Sequence, residues 1–323
     1  MKALCLFSGG LDSILASELI RAQGIEVLAF FFETPFFPSQ KAVKSAENIT
    51  LPIKVIDITN SHLDVVKNPK HGYGGNMNPC IDCHTLMIRK TGELLEDEGA
   101  NFIITGEVLG QRPMSQNRKA LSIVSNGSGF NSLILRPLSA KRLPMTVPEQ
   151  QGWVKRDQLM GFSGRSRKPQ MELAKKFNIQ EYPSPAGGCL LTDQVFSRRL
   201  RDLFSSRPHF ELREIELLKF GRHFRIESGT KLIVGRNKIE NQAIRSLSNE
   251  KDVILSLVSI PGPTVLVLGD LSSNDEQLAA SMTVSYSDAE NGNLAEVCLR
   301  TKEMDRILEA RGRDKEELRR YMI

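Results

Sequence analysis

The first apolar run of the chain and the turn behind it constrain the fold more than any other stretch. Residues 3–7 are apolar and β-compatible, and the string Ser-Gly-Gly-Leu-Asp-Ser follows at once at residues 8–13. Apolar residues then recur at helical spacing between Ile14 and Ile20, so the pattern predicts a strand, a glycine turn and a helix. Free N–H groups and the positive end of the helix dipole converge at such a turn, which predicts an anion site.

The residues of this turn suit a nucleotide phosphate. Gly9 and Gly10 allow the main chain to approach a phosphate closely. Ser8 and Ser13 add hydroxyl donors. Asp12 is the one residue placed to hold a Mg²⁺ ion that bridges phosphate oxygens. An ordinary strand–turn–helix connection would also explain a glycine pair, but the complete string is far more specific than the pair.

The string resembles the SGGxDS loop of the PP-loop ATP pyrophosphatases, which adenylate a substrate oxygen and release pyrophosphate. No GxxxxGK[ST] string follows, so the turn is not a Walker A loop. The resemblance therefore implies ATP as the bound nucleotide, with cleavage between its α- and β-phosphates.

Strand-like and helix-like segments alternate through the first half of the chain. Further strands are predicted at residues 25–32, 51–58, 102–105 and 133–138, with a helix at 39–48. This alternation predicts an α/β fold with a doubly wound parallel sheet, whose ligands bind at the carboxyl ends of the strands.

The composition bounds the class of protein. The 323 residues are 40% hydrophobic and 25% charged, which are ordinary globular values, and the length suits two domains. The sequence contains no apolar run of about 18 residues or more that could span a bilayer, and its start is not that of a signal peptide. We therefore expect a cytoplasmic protein that does not bind a membrane.

A second motif follows the predicted strand at 102–105. Residues 105–116 closely resemble the TGExLGQxxSQ segment of the 4-thiouridine synthase family, whose members place sulfur on a uridine near the elbow of tRNA. The resemblance implies contacts to ATP or to the uridine, and it makes candidates of Thr105, Gly106, Glu107, Gln111 and Gln116. A polar loop after a strand is the alternative.

Three of the five cysteines stand out. An odd number of cysteines in a long chain does not form a disulfide framework, and Cys5 and Cys298 are explained as packed residues. Cys80 and Cys83 are three apart at a predicted helix start, where the dipole favours thiolates. Cys189 follows Gly-Gly in a proline-rich loop, and the glycines would let it approach that pair.

These three thiols allow three kinds of centre. A structural zinc would need a fourth ligand, such as His84. Cys80 and Cys83 could instead act as a nucleophile and a resolving pair. Soft thiolates also suit a [4Fe–4S] cluster with one open iron, and three available ligands rather than four favour this interpretation.

The cysteine layout is similar to that of the cluster-dependent tRNA thiolases of the PP-loop superfamily, which use a CxxC pair and a later single cysteine. The resemblance implies that Cys80, Cys83 and Cys189 hold the cluster beside the ATP site. It also implies catalytic roles for these cysteines and for Asp12.

The second half of the chain predicts RNA binding. Eight Lys or Arg residues but only two acids lie between Arg136 and Lys168, and such clustering favours a polyanionic partner. Residues 230–242 resemble the GRNxxEN signature of the NFACT RNA-binding domain. We therefore expect a PP-loop adenylation and thiolation domain at 1–195, a basic helical connector at 196–228 and an NFACT-like domain with a C-terminal helix at 229–323.

Together these features predict a tRNA sulfurtransferase that makes 4-thiouridine at uridine eight, with tRNA and a sulfur donor, sulfide or a cysteine desulfurase, as partners. A 2-thiouridine synthase acting on the anticodon wobble uridine is the first alternative. A PP-loop ligase without thiolation and a non-catalytic RNA-binding protein are the others. A homodimer is compatible with the sequence.

Overall fold

The computed structural model of the protein describes residues 1–183, 189–269, 271–290 and 292–323. The chain forms two compact units, Met1–Thr192 and Asp193–Ile323. Among the described residues, no helix has both the length and the apolar character needed to cross a membrane. The predicted approach of Gly187 and Gly188 to the cysteine pair lies outside the described residues.

The N-terminal unit is built on a five-stranded sheet in the order β3-β2-β1-β4-β5. Every pairing in it is parallel, which confirms the predicted α/β fold. The strands are β1 (Lys2–Leu6), β2 (Glu26–Glu33), β3 (Ile53–Asp57), β4 (Phe102–Thr105) and β5 (Ile134–Leu135). The strand order reverses between β1 and β4, and such a switch point is where open parallel sheets bind ligands.

Helices cover both faces of this sheet because its central strands are apolar on both sides. One core contains Ala3, Cys5 and Phe31, and another contains Leu4, Phe30 and Ile103. The helices are α1 (Leu11–Arg21), α2 (Gln40–Asn48), α3 (Thr59–Lys67), α4 (Cys80–Glu93), α5 (Arg118–Ser128), α6 (Val147–Gln150) and α7 (Lys168–Lys176).

The predicted strand at 133–138 was too long. Only Ile134 and Leu135 pair with β4. Arg136 then turns the chain, since its carbonyl accepts a hydrogen bond from Ser139 N at 2.9 Å. Pro137 follows it and has no N–H to give to a sheet.

The C-terminal unit is a six-stranded sheet in the order β11-β10-β8-β9-β7-β6, and every pairing is antiparallel. Its strands are β6 (Arg222–Arg225), β7 (Lys231–Val234), β8 (Val253–Leu257), β9 (Val265–Leu268), β10 (Leu294–Arg300) and β11 (Asp305–Arg311). Its helices are α8 (Gln194–Ser206), α9 (Leu212–Leu217), α10 (Lys238–Leu247), α11 (Ser273–Ser285) and α12 (Lys315–Leu318).

The predicted basic helical connector at 196–228 contains two helices and a strand. Helix α8 ends at Ser206, ahead of Pro208, which disfavours helical backbone at the residue before it. After α9, Gly221 adopts φ +71 and leads into β6. Residues 196–228 thus supply α8, α9 and β6 to the second compact unit.

The GRNxxEN-like residues of this unit serve the fold directly. The Asn237 side chain caps α10 by accepting from Glu240 N at 3.0 Å. Asn241 Oδ1 accepts from Thr264 N at 3.0 Å, which ties α10 to the start of β9. A methyl group at Gly235 would lie 2.0 Å from that same amide oxygen, so only glycine fits there.

Candidate functional site

The glycine turn lies between β1 and α1, as the sequence predicts. Gly9 has φ +74, and a side chain there would place its Cβ 2.6 Å from Ala42 Cα. Gly10 precedes the helix, and its carbonyl accepts from Ser13 N at 3.0 Å and Ser13 Oγ at 2.8 Å. Ser8 Oγ in turn lies 3.3 Å from Ser13 Oγ. Glycine cannot cap a helix with a side chain, so N–H groups at the start of α1 are available to an anion or water.

A hydrogen bond to one of its two carboxylate oxygens holds the Asp12 side chain in place. Gln111 Nε2 donates to Asp12 Oδ2 at 2.7 Å. Asp12 Oδ1 is buried and has no hydrogen-bond partner in the part of the chain that the structure describes. Buried oxygens in folded proteins are usually paired, so Asp12 Oδ1 is a candidate ligand atom. A carboxylate oxygen is a suitable ligand for Mg²⁺. The residues therefore fit a magnesium ion at this point.

The second motif packs directly onto the glycine turn. Thr105 ends β4 beside Leu6 of β1, and Gly106 follows against the first turn of α1. A methyl group at Gly106 would lie 2.5 Å from Ser13 N and 2.7 Å from the Asp12 carbonyl carbon. Three residues, 112–114, separate Gln111 from Ser115 in this chain, one more than in the family pattern.

Gly106→Ala is expected to lower the free energy of unfolding by about 1–3 kcal/mol, because backbone atoms of α1 would have to move. Urea denaturation measures the change. Gly75→Ala is the matched control, since a methyl group there meets no described atom within 4 Å. Equal losses from the two substitutions would contradict the close packing of Gly106 on α1.

Glu107 is a buried anion with three partners. Arg136 Nε donates to Glu107 Oε2 at 2.8 Å, and Thr105 Oγ1 donates to the same oxygen at 3.1 Å. His84 Nδ1 lies 3.1 Å from Glu107 Oε1. Burial acts to raise the pKa of Glu107, but Arg136 and His84 outweigh it and lower that pKa to about 2. Glu107 is thus ionised, and it holds both basic side chains in place.

The cysteine pair opens α4. Cys80 is the first residue of the helix, and Cys83 N donates to Pro79 O at 2.8 Å. Asp82 anchors the loop before the helix, because Asp82 Oδ2 accepts from His71 N at 2.8 Å. The helix thus starts where the sequence predicts, and it ends at Glu93.

Cys189 reaches the same place from the far end of the unit. Thr192 N donates to Cys189 O at 2.9 Å within a short helical turn. Leu191 O accepts from Met77 N at 3.1 Å, which fastens that turn to the loop before α4.

The three thiols influence one another. Burial raises the pKa of Cys83 well above its usual value, and the neighbouring Cys189 and Cys80 raise it further. Burial also raises the pKa of Cys189, and Cys80 adds to that effect against the opposing N–H of Leu191. Cys80, Cys83 and Cys189 thus lie near enough for their charges to interact, and a common centre for the three stays a prediction.

Cys80 differs from the other two thiols in its polar partners. Burial raises its pKa, whereas hydrogen bonds with the Asn78 and Ser115 side chains and the charge of Arg112 oppose the rise. The segment that follows Gln111 thus reaches the first cysteine. This contact brings the second motif and the cysteine centre together.

His62, which the sequence does not single out, lies against the thiols. Its side chain is fully buried on α3, and Nε2 lies 3.2 Å from Cys83 Sγ. The rings of Phe36 and Phe37 pack on it at centroid distances of 5.6 and 5.2 Å. Burial lowers the pKa of His62 to about 4, so the imidazole is neutral. In the described ranges, no group of three or more His, Cys, Asp or Glu side chains is placed to hold a metal ion.

The basic segment between Arg136 and Lys168 carries less free charge than its composition indicates. Arg136 is buried on Glu107, and Arg156 pairs with Glu149. The exposed cations of the segment are Lys141, Arg142, Lys155, Arg165 and Lys168. These five side chains are therefore the ones available for the predicted contact with a polyanion.

Two stretches of the chain match known families. Residues 1–142 match the family described as "Thiamine biosynthesis protein (ThiI)". Residues 221–322 match the family described as "NFACT protein RNA binding domain".

Individual relatives and one solved structure match as well. A "Probable tRNA sulfurtransferase" of Ureaplasma parvum serovar 3 is 34% identical over 150 residues, covering 43% of this chain and 37% of that protein. One of the same description from Anoxybacillus flavithermus is 30% identical over 146 residues, covering 42% and 35%. A 4-thiouridine synthetase solved with RNA and ATP is 20% identical, covers 55% of this chain and 51% of its own, and has a TM-score of 0.34.

The match thus spans little more than a third of the curated relatives' length. The family match at residues 1–142 covers the glycine turn, the cysteine pair and the second motif. Residues 1–142 are thus similar to the ThiI family, and residues 221–322 are similar to the RNA-binding domain of NFACT proteins.

Proposed function

We propose that this chain catalyses ATP-dependent thiolation of a tRNA uridine, most specifically to 4-thiouridine at uridine eight. The observation that carries the proposal is the meeting of two centres in one unit. The glycine turn, whose Asp12 Oδ1 has no partner among the described residues, packs against Gly106. The next residue, Glu107, contacts His84 beside Cys83. The tRNA sulfurtransferase relatives and the NFACT-type domain support RNA as the substrate.

In the first step, the ATP phosphates bind the backbone N–H groups and hydroxyls of residues 8–13. Asp12 Oδ1 would hold a Mg²⁺ ion, which would offset the negative charge of the phosphates. The uracil carbonyl oxygen attacks the α-phosphorus, and pyrophosphate leaves. Preorganised N–H donors stabilise the charge that develops on the phosphate, and fixed positions remove the entropy cost of the encounter. The oxygen of the base is now bonded to AMP and can leave.

In the second step, a hydrosulfide ion attacks the activated ring carbon, and AMP leaves with the original oxygen. Soft thiolates are the donors that a [4Fe–4S] cluster takes. In the proposal Cys80, Cys83 and Cys189 would close around such a cluster, since in the described ranges no group of three is already placed to hold a metal ion. Such a cluster would supply an open iron site for sulfide. The protein's own part is to bury the thiols and to keep water from the activated base, since water would return uracil.

The target uracil must leave the stacked RNA to reach such a buried site. In the proposal residues 1–195 carry adenylation and thiolation, and residues 229–323 hold the RNA. The connector at 196–228, the sulfur donor, the homodimer and the cytoplasmic location stay predictions. A persulfide on Cys80 or Cys83 is the alternative route for sulfur.

Cys189→Ala is expected to abolish the cluster. Protein purified without oxygen and reconstituted with iron and sulfide should show a broad absorption band at about 400 nm and bind about four irons. The Cys189→Ala variant should lose both signals, because two thiolates cannot replace three. Cys298→Ala, in the other unit, is the matched control and should keep them. Zinc or no metal in the wild type would contradict the cluster and favour the persulfide route.

The activity test uses tRNA, ATP, Mg²⁺ and sulfide, with thiouridine identified by mass spectrometry after nuclease digestion. A tRNA transcript with cytidine at position eight is the control, and it should remain unmodified. Product at the wobble uridine would instead support the 2-thiouridine alternative. Pyrophosphate release without any thiouridine would point to a ligase of the same fold.

A further inference from the structure

A line of three side chains runs from the glycine turn to α7. Asp12 Oδ2 accepts from Gln111 Nε2 at 2.7 Å, and Gln111 Oε1 accepts from Gln170 Nε2 at 3.0 Å. Gln170 is only 1% exposed and lies near the start of α7. Asp12 and Gln111 belong to the two motifs, whereas Gln170 belongs to neither.

The direction of these hydrogen bonds is set by Asp12. An ionised carboxylate can only accept, so Gln111 must turn its NH₂ group toward Asp12. The carbonyl oxygen of Gln111 then faces Gln170, so Gln170 must donate a hydrogen bond from its own NH₂ group. The amide of Gln170 thus stabilises the one orientation of the Gln111 amide that suits Asp12.

This arrangement determines which oxygen of Asp12 is left for a ligand. Because Oδ2 is occupied by Gln111, the carboxylate presents Oδ1, which is buried and has no partner among the described residues. Gln170 Oε1 is also buried without a partner there. An apolar residue would fill the Gln170 position without burying an unpaired oxygen, so packing alone does not explain a glutamine.

We propose that Gln170 is a positioning residue, which acts through Gln111 to hold Asp12 with Oδ1 directed to the cation of Mg·ATP. The inference rests on the proposed function, because it concerns the same ATP site. It predicts that changes at Gln170 alter the magnesium-dependent part of ATP binding and leave the magnesium-independent part intact.

Gln170→Glu is the sharpest test. A glutamate can only accept, so it would draw the NH₂ group of Gln111 away and turn the Gln111 oxygen toward Asp12. The carboxylate would lose its donor and face a lone pair. We expect Mg·ATP to bind about tenfold to a hundredfold more weakly, because a hydrogen bond to a charged group is lost.

Gln170→Met removes the donor without reversing the direction, so the loss should be smaller, about threefold to tenfold. Calorimetric titration of each full-length variant with ATP, once in Mg²⁺ and once in EDTA, gives the two affinities. Gln158→Glu, an exposed position in the same unit, is the control for added charge. Thermal unfolding of each variant establishes that it is folded during the titration.

The outcomes separate the inference from the proposed function. Wild-type protein that fails to bind Mg·ATP would overturn both. Wild-type protein that binds, with variants that lose affinity equally in Mg²⁺ and in EDTA or not at all, would overturn only the role of Gln170. Should Gln170→Glu fail to fold, the Mg²⁺-to-EDTA ratio of Gln170→Met decides, and an unchanged ratio contradicts the inference.

Discussion

Asp12→Asn is expected to reduce ATP-dependent pyrophosphate release by about a hundredfold to a thousandfold, the usual effect of losing one preorganised electrostatic contact in an active site. Asparagine has the shape of aspartate and keeps one oxygen that can accept from Gln111 Nε2, now 2.7 Å from Asp12 Oδ2. Its NH₂ group then replaces the unpartnered Oδ1, and an NH₂ group repels a cation. The packing should survive while the cation site is lost.

The measurement is pyrophosphate release in the presence of tRNA and Mg²⁺, together with the free energy of unfolding in urea. Asp97→Asn, at an exposed position on the same unit, removes the same charge and should leave the rate unchanged. Retained activity in Asp12→Asn would mean that the carboxylate does not hold the metal. A large loss of stability would mean that Asp12 is structural.

Arg136→Met is expected to lower the free energy of unfolding by about 3–5 kcal/mol, because it leaves Glu107 as a buried charge without its cation. Arg136 and Glu107 are 7% and 4% exposed, and their hydrogen bond is 2.8 Å long. Urea denaturation measures the loss. Arg89→Met, which removes an exposed arginine bonded to one carbonyl, should cost no more than about 0.5 kcal/mol.

The same pair makes stability depend on pH in a definite direction. The pKa of Glu107 falls from 4.5 to about 2 on folding, so the unfolded state takes up the proton first as the pH falls. The stabilisation is complete above pH 4.5 and is lost as the pH drops toward 2. Its size is roughly 3 kcal/mol at about 1.4 kcal/mol for each unit of pKa.

Urea unfolding at a series of pH values between 5 and 2 tests this dependence. Glu107→Gln should be less stable than the wild type at pH 5, and its stability should fall less between those limits. Parallel curves for the two proteins would show that Glu107 is not the group responsible.

Much of the fold follows from local pattern. The apolar runs and their helical neighbours predicted the parallel sheet, and β4 was placed correctly at 102–105. A strand buried on both faces must be apolar throughout, so its own sequence is enough to identify it. Hairpin β10–β11 was missed, because its residues alternate with charged ones and read as a mixed segment.

The two motifs and the cysteines were visible in the sequence because each is a compact string or a distinctive residue type. The glycine turn works through its own backbone, so its neighbours along the chain are enough to specify it. The sequence by itself therefore determined the α/β class, the position of the glycine turn and the set of three candidate cysteines.

Only the tertiary structure decided which side chains serve these groups. Gln111 lies 99 residues from Asp12, Gln170 lies 59 residues from Gln111, and His62 lies 21 residues from Cys83. Arg136 looked like part of a basic surface, yet it is a buried counter-ion of Glu107. A glutamine, a histidine or an arginine carries no local signal of such a role, because its hydrogen-bond partner is chosen by the packing of distant strands and helices.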